Sequence, residues 1–338
     1  MEYRRMGRTG LKVSELCLGT MLFGSTTNES EANKILDLSF EAGINFVDTA
    51  DAYANSESEK ILGRILKKRR QNIILATKFF NPMGSGPNDS GMSRVYIMRA
   101  IEASLKRLQT DHIDIYYIHH VDVQTPLEEM LHALNDLIHE GKVRYIACSN
   151  YEAWRLATAL GISKVSNINR FECYQPQYSL VVRDIELELI PLCEYHDLGV
   201  VIWSPLAGGY LTGKYKPGDL KVDSQSESGR NLPKEFFSSN ADKILKVLLE
   251  ISNEIGRSPD QVALRWVLEQ PMITSSIVGP RTVAQLEKNL GAVGWEMDKN
   301  ALQRLNAISD LPERYPQNFE KQMLSRRNNA VNRVSNLS

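Results

Sequence analysis

Four side chains in this 338-residue sequence could together protonate an oxygen that is gaining negative charge: the carboxylate of Asp48, the phenol of Tyr53, the amine of Lys78 and the imidazole of His119. A phenol with an ordinary pKa of about 10 is a poor acid at neutral pH, but a neighbouring ammonium stabilises the phenolate and lowers that value. Lys78 can supply the charge, and Asp48 can keep Lys78 protonated by pairing with it. His119 can hold a carbonyl oxygen in line with the Tyr53 hydroxyl. Such a set suits hydride addition to a carbonyl carbon, where the oxygen must receive a proton. Singly, each has a plainer reading: Asp48 as a turn cap, Lys78 as a solvated strand end, His119 as a satisfied core histidine, Tyr53 as loop packing. Jointly these readings weaken, because Asp48, Lys78 and His119 each end an apolar run, where an apolar residue would sit at lower desolvation cost.

What must position them is a repeat. After an opening hairpin (Tyr3 to Met6 and Leu11 to Val13, turning at Gly7 to Gly10), short β-branched runs alternate with helical patterns almost to the C-terminus. The runs are Leu16 to Thr20, Asn45 to Thr49, Ile73 to Lys78, Ile113 to His119, Val143 to Ser149, Phe171 to Gln175, Val200 to Ser204 and Thr274 to Val278. Several are continuously apolar, as strands buried on both faces of a parallel sheet are. Between them Ala32, Ile35, Leu36 and Phe40 line one helical face, Ile97, Ile101, Leu105 and Leu108 another, and Leu127, Leu131, Leu134 and Ile138 a third. Gly43 and Gly141 stop the first and third as left-handed caps. Eight strand-then-helix units predict a closed (β/α)8 TIM barrel, an α/β fold, rather than an open doubly wound sheet. In such a barrel the C-terminal ends of the strands form the active-site face, and Asp48, Lys78 and His119 end the second, third and fourth strands.

Two segments fall outside the repeat. The loop from Leu206 to Asn240, after the seventh strand, is far longer than usual and has the composition of a lid. The chain after about Leu311 is polar and is expected to be partly disordered. The reading is therefore a barrel over residues 1–312 and a polar tail over 313–338.

Composition narrows the partners. With 40 Lys+Arg against 41 Asp+Glu, the formal charge of -1 gives no electrostatic reason to expect nucleic acid or an anionic membrane surface. No apolar run approaches the roughly 20 residues that span a bilayer, and the start has no signal-peptide stretch, so a cytoplasmic address and no membrane insertion are expected. Cys17, Cys148, Cys173 and Cys193 form no CxxC pair and have no histidine at finger spacing, which favours buried free thiols over zinc or disulfides, and no metal is expected. The sequons at Asn28 and Asn88 have no role without secretion. Self-association into an oligomer stays open.

The sequence resembles the aldo-keto reductases, in their branch related to potassium-channel β-subunits. The resemblance runs from Tyr3-Arg-Arg-Met-Gly-Arg-Thr-Gly-Leu-Lys-Val-Ser and Leu18-Gly-Thr-Met, through Phe46-Val-Asp-Thr-Ala-Asp-Ala-Tyr53 with Ser58-Glu59 and Leu62-Gly63, to Ala76-Thr-Lys78 and Ile113-Asp-Ile-Tyr-Tyr-Ile-His119. It puts the family's catalytic tetrad on Asp48, Tyr53, Lys78 and His119, and it implies NADPH-dependent reduction of a small carbonyl substrate, an aldehyde or ketone, to an alcohol. It further implies that Thr20, Met21 and Asp48 help to hold the cofactor, that Ser149, Asn150 and Gln175 bind its carboxamide, and that Trp203 stacks on its nicotinamide. Ser204, Pro205, Leu206, Gly208 and Lys214 would cross the pyrophosphate, with Arg230 in the clasp that follows. Gly279, Arg281, Gln285 and Asn289 would form the adenosine site, where amide donors at a helix N-terminus and a guanidinium suit a 2′-phosphate. The plainer reading of Arg281, Gln285 and Asn289, spaced four apart, is one solvated helix face. Two positions depart from the branch: His120 stands where many members carry Arg, and Ala54 where Gly often follows the tyrosine.

Two rivals are weighed. Gly208-Gly-Tyr-Leu-Thr-Gly213-Lys214 nearly fits a phosphate-binding loop, but Tyr215 stands where the magnesium-binding hydroxyl belongs, and there is no GxGxxG. The resemblance also allows an NADPH-binding, redox-sensing regulatory subunit with little turnover.

Overall fold

The structure, a computed structural model, describes residues 1–67, 69–219 and 239–335. An antiparallel hairpin opens it, β1 (Tyr3–Arg5) against β2 (Lys12–Ser14), in the register Tyr3 opposite Ser14. Eight parallel strands then close into a barrel: β3 (Leu16–Gly19), β4 (Phe46–Asp48), β5 (Ile74–Phe79), β6 (Ile113–Ile118), β7 (Val143–Ser149), β8 (Phe171–Gln175), β9 (Gly199–Ile202) and β10 (Ser275–Val278), with β10 pairing back onto β3. The expected (β/α)8 barrel with its hairpin is what the chain forms, with strand ends within a residue or two of the sequence reading.

Helices follow the strands on the outside: α1 (Glu29–Glu41), α2 (Glu57–Ile65), α3 (Arg94–Leu108), α4 (Leu127–His139), α5 (Ala153–Val165) and α6 (Leu189–His196). After β9 come α7 (Ser239–Ile255) and α8 (Pro259–Leu268), and after β10 come α9 (Val283–Leu290), α10 (Lys299–Ser309) and α11 (Gln317–Ser335). Side chains start several of them. Asn28 accepts from the Glu31 amide, Ser93 from that of Tyr96, and Thr282 from that of Gln285, satisfying first-turn donors that have no partner within the helix. Gly43 and Gly141 are left-handed, as the caps of α1 and α4 require.

Period-two alternation divides the strand residues into two sets. Val47, Leu75, Tyr116, Ile118, Ile146, Tyr174, Val200 and Ile202 pack outward into the main core beneath the helices. Cys17, Phe46, Ala76, Ile115, Tyr117, Ala147, Cys173 and Val201 pack inside the barrel, with Met6 and Val13 of the hairpin among them. The barrel is thus filled from below by apolar side chains and stoppered by the hairpin. Two positions beyond six of these floor residues stand Asp48, Lys78, His119, Ser149, Gln175 and Trp203, so the alternation that buries the floor aims them at the barrel mouth.

All four cysteines are buried free thiols, as expected. The expected lid lies largely over residues 220–238, outside the described residues. Its first part forms a short 3-10 turn at Ala207–Thr212. Where a partly disordered polar tail was expected, the chain is helical from Gln317 to Ser335. The straight-chain Gln, Glu, Lys, Met, Leu and Arg of residues 317–327 favour helix, and Phe319 and Leu324 stay exposed on it. Among the described residues no helix is long and apolar enough to cross a membrane.

Candidate active site

Lys78 sits at the centre of the mouth, and it and Asp48 are 1% and 2% exposed. Its ammonium donates to Asp48 Oδ1, to the Thr49 carbonyl at 2.9 Å and to the Tyr53 hydroxyl oxygen at 3.1 Å, which uses all three of its donors. Gln175 Nε2 donates to the other Asp48 oxygen at 2.9 Å. Burial alone would pull the Lys78 ammonium down. The charge of Asp48, together with the Tyr53 oxygen, outweighs that desolvation and holds it above the ordinary lysine range, so Lys78 stays charged at any physiological pH.

Tyr53 arrives from a loop with three consecutive left-handed residues, Ala54 (φ 49°), Asn55 (φ 54°) and Ser56 (φ 70°). Each costs a non-glycine residue on the order of 1 kcal/mol, which is the physical reason glycine suits position 54. Anchors hold the loop in place. Ser56 Oγ donates to the Asp51 carbonyl at 2.9 Å and the Asp51 amide to the Lys78 carbonyl at 3.0 Å. A buried cluster of the Thr20, Thr49 and Ser58 hydroxyls ties the start of α2 to β3 and β4, with Thr20 Oγ1 and the Thr20 amide both donating to the Asp48 carbonyl.

His119 meets Tyr53 edge to face, with ring centroids 5.7 Å apart. Asn81 Nδ2 lies 3.2 Å from His119 Nδ1. An amide nitrogen can only donate, so Nδ1 accepts and the neutral ring carries its proton on Nε2. Burial, helped by the Lys78 charge, pushes the imidazole down to about 2, so it is neutral wherever the protein functions. His120 stacks on the same ring at 4.5 Å and meets Phe80 edge-on at 5.4 Å.

The residues expected to hold a dinucleotide lie along one path. At the end of β7, Ser149 Oγ donates to the Gln175 carbonyl at 2.6 Å. Asn150, left-handed at φ 59°, donates to the His119 carbonyl at 3.0 Å and accepts from Trp203 Nε1 at 3.2 Å, fixing the half-buried indole beside the tetrad. Beyond it Ser204, Ala207, Gly208, Gly209 and Gly213 are all left-handed, a winding that turns successive amides toward one side, as anion-binding loops do. Pro205 is buried, Leu206 is half-buried, and Ser204 Oγ accepts from the Gly208 amide at 3.3 Å. Gly209 takes φ +97°, a conformation that side chains rarely adopt, and Lys214 Nζ lies 3.0 Å from where its Cβ would be. Across the mouth Gly279 follows β10, and a Cβ built on it would meet the Gly19 carbonyl at 3.8 Å, an ordinary contact. Arg281 precedes α9, where its amide donates to Gln285 Oε1 at 2.8 Å and its carbonyl accepts from Thr27 Oγ1 at 3.1 Å. Asn289 is buried and Arg281 and Gln285 are half-buried, so they are not one solvated face. Met21 is half-buried just past β3. Arg230 lies outside the described residues. The glycine-lined cradle and the donor set fit a nicotinamide dinucleotide.

Three residues around the site carry no role in the sequence reading, although Glu59 stands in one of its motifs. Asn81, which orients His119, belongs to the irregular loop after β5, where no period operates. Fully buried Glu59 pairs with half-buried Arg107 at 2.6 Å, with Thr77 Oγ1 donating to Glu59 at 2.6 Å. The available signal was a carboxylate on the buried stripe of α2, beside Ser58, Ile61 and Leu62.

A model of the aldo/keto reductase family matches residues 15–310. An uncharacterized oxidoreductase of Bacillus subtilis, YrpG, is 40% identical over 332 residues, covering 93% of this chain and 99% of its own. A probable voltage-gated potassium channel subunit beta of Arabidopsis thaliana is 36% identical over 300 residues, 87% of this chain and 91% of its own. A putative one from Schizosaccharomyces pombe is 34% identical over 319 residues, 91% and 92% of the two chains.

Proposed function

The chain belongs to the aldo/keto reductase family of oxidoreductases, and from that membership and the geometry of the mouth we propose that it reduces an aldehyde or ketone to an alcohol with NADPH, Tyr53 acting as general acid. The cofactor, when bound, supplies hydride to the carbonyl carbon. Tyr53 gives its proton to the carbonyl oxygen, and the Lys78 ammonium, 3.1 Å away, stabilises the phenolate left behind. Asp48 keeps that ammonium in place, and Gln175 holds Asp48 from the other side. The Nε2 proton of the neutral His119 donates to the same carbonyl oxygen and fixes its line of approach. Ser149, Asn150 and Gln175 would grip the carboxamide, Trp203 would cover the nicotinamide face, the turns from Ser204 to Lys214 would take the pyrophosphate, and Arg281 with the α9 amides would take the 2′-phosphate. Four buried free thiols suit a reducing, cytoplasmic setting.

The observation that carries this reading is the Lys78 ammonium donating at once to Asp48 and to Tyr53. The test is consumption of NADPH with 4-nitrobenzaldehyde. Wild type turns over, whereas Tyr53→Phe loses carbonyl reduction and keeps NADPH affinity near wild type. Near-normal turnover by the phenylalanine variant would remove Tyr53 as the acid. The potassium-channel β-subunit names of two relatives favour a second reading, a redox-sensing subunit that holds NADPH with little turnover. Rapid turnover of activated carbonyls would take its support away.

A further inference from the structure

Directly beneath the tyrosine loop lies a carboxyl group that the reaction does not use. Asp51 is 1% exposed. Neither of its oxygens makes a well-formed hydrogen bond, and the nearest favourable dipole is the amide of its neighbour Ala52. Its surroundings come from four elements. Glu59 of α2 is fully buried and already holds Arg107 of α3 at 2.6 Å. Tyr116 of β6 presents a hydroxyl that is also buried and without a partner. Tyr96 of α3 donates its hydroxyl to the Asn81 carbonyl at 2.9 Å. Lys78 of β5, which donates to Asp48 and Tyr53, has the smallest influence on Asp51.

The charge balance is therefore closed without Asp51. Arg107 answers Glu59 and Lys78 answers Asp48, so ionised Asp51 would be an extra anion in a dry site beside a second carboxylate, which is costly. Burial first, then the charge of Glu59, push its carboxyl up to about 7.

We infer that Asp51 is a positioning residue for Tyr53: buried as a neutral acid, it leaves the backbone anchors of the loop over residues 50–56 in place, and its ionisation unseats that loop. The inference rests on the reading of Tyr53 as proton donor. The connections are short. Asp51 lies two residues before Tyr53, its amide is tied to the Lys78 carbonyl and its carbonyl to Ser56 Oγ. Three left-handed residues follow Tyr53, so the loop keeps its shape through such anchors and not through its own preference. Among the groups facing Asp51, Tyr96 bonds the backbone of Asn81, the residue that orients His119. An ionised Asp51 drawn toward water would loosen the phenol's loop and crowd the imidazole's support.

The experiment compares wild type with Asp51→Asn, which keeps the shape and removes the ionisation. The first readout is kcat/KM with NADPH and 4-nitrobenzaldehyde between pH 5.5 and 8.5. A group centred near 7 is protonated in about one molecule in thirty at pH 8.5. Wild type should therefore fall at least tenfold across the range more than Asp51→Asn does. The second is amide exchange of residues 50–58 in wild type, corrected for the intrinsic pH effect, which should rise above pH 7. It needs neither a variant nor turnover. Superimposable pH profiles, or activity lost in Asp51→Asn at every pH, would overturn the inference, and so would flat exchange of the loop. Absence of turnover in both proteins would instead count against the carbonyl-reduction reading and leave the exchange measurement to decide on Asp51.

Discussion

Replacing Lys78 with Met tests the centre of the site in two independent ways. The ammonium lies 3.1 Å from the oxygen that becomes a phenolate. At that distance and an effective dielectric of about 20, the attraction is roughly 5 kcal/mol. At about 1.4 kcal/mol per factor of ten, this corresponds to as much as four orders of magnitude in the proton-transfer step. Lys78→Met should therefore lower the single-turnover rate of NADPH oxidation by 4-nitrobenzaldehyde at least a thousandfold, with the dissociation constant for NADPH, followed by its fluorescence, changed much less. The same substitution orphans the Asp48 carboxylate, which is 2% exposed and would keep only the Gln175 amide. Removing one partner of a buried pair costs about 3–5 kcal/mol. The double variant Asp48→Asn/Lys78→Met should recover most of that stability in denaturant unfolding and none of the rate. A loss of rate below tenfold would refute the electrostatic argument. Stability that fails to return in the double variant would show that Lys78 acts through packing and not through charge.

Three further outcomes are expected. Arg281→Ala should weaken NADPH far more than NADH in equilibrium titrations, and equal losses would assign Arg281 another role. Asn81→Ala should release His119 Nδ1 and let the ring change tautomer, lowering kcat by about tenfold or more if the imidazole contributes at the general acid-base scale, with little effect on NADPH affinity. An unchanged kcat would remove Asn81 from the mechanism. The third concerns acid stability. Because His119 is held down at about 2, the unfolded chain takes up a proton below about 6.5 that the folded chain refuses. Its contribution is fully favourable above that value and is lost as pH falls through it toward 2. His119→Gln should therefore flatten the drop in stability between pH 7 and pH 4, and an unchanged slope would contradict the depression.

The legible part of this molecule was the part governed by a period. The runs Phe46 to Asp48, Ala76 to Lys78 and Tyr117 to His119 share one pattern, an inward apolar residue followed two positions later by a polar one, and a barrel turns that pattern into a ring of side chains at its mouth. Ser149, Gln175 and Trp203 follow the same rule after Ala147, Cys173 and Val201. Tyr53 obeys no period. Its place in the loop five residues past Asp48 put it at the mouth, and its chemistry beside an amine marked it as the acid, but the three left-handed residues after it have side chains that tertiary anchors must hold in that conformation, so the path of the loop was not legible. The orienting contact from Asn81 to His119 depends on the course of an irregular loop. The helix at 317–335 escaped because its polarity was read as lack of anchoring, although the straight-chain residues of its first half favour helix.

The two aspartates at the end of β4 show how the fold separates groups of identical chemistry. Asp48 points into the barrel, where Lys78 and Gln175 supply donors to both of its oxygens. Asp51, three residues on, lies under the loop, where Arg107, the cation outside the tetrad that acts on it among the described residues, is engaged by Glu59. A carboxyl held by an ammonium and an amide anchors its partners, and one left in a buried site with little more than a neighbour's backbone amide is pushed toward keeping its proton. Supplying Asp51 with a counter-charge should therefore erase the distinction. Glu59→Gln frees Arg107 for Asp51, so the pH-dependent exchange of residues 50–58 should move to lower pH or vanish, and exchange that keeps its wild-type pH dependence in that variant would refute the charge argument.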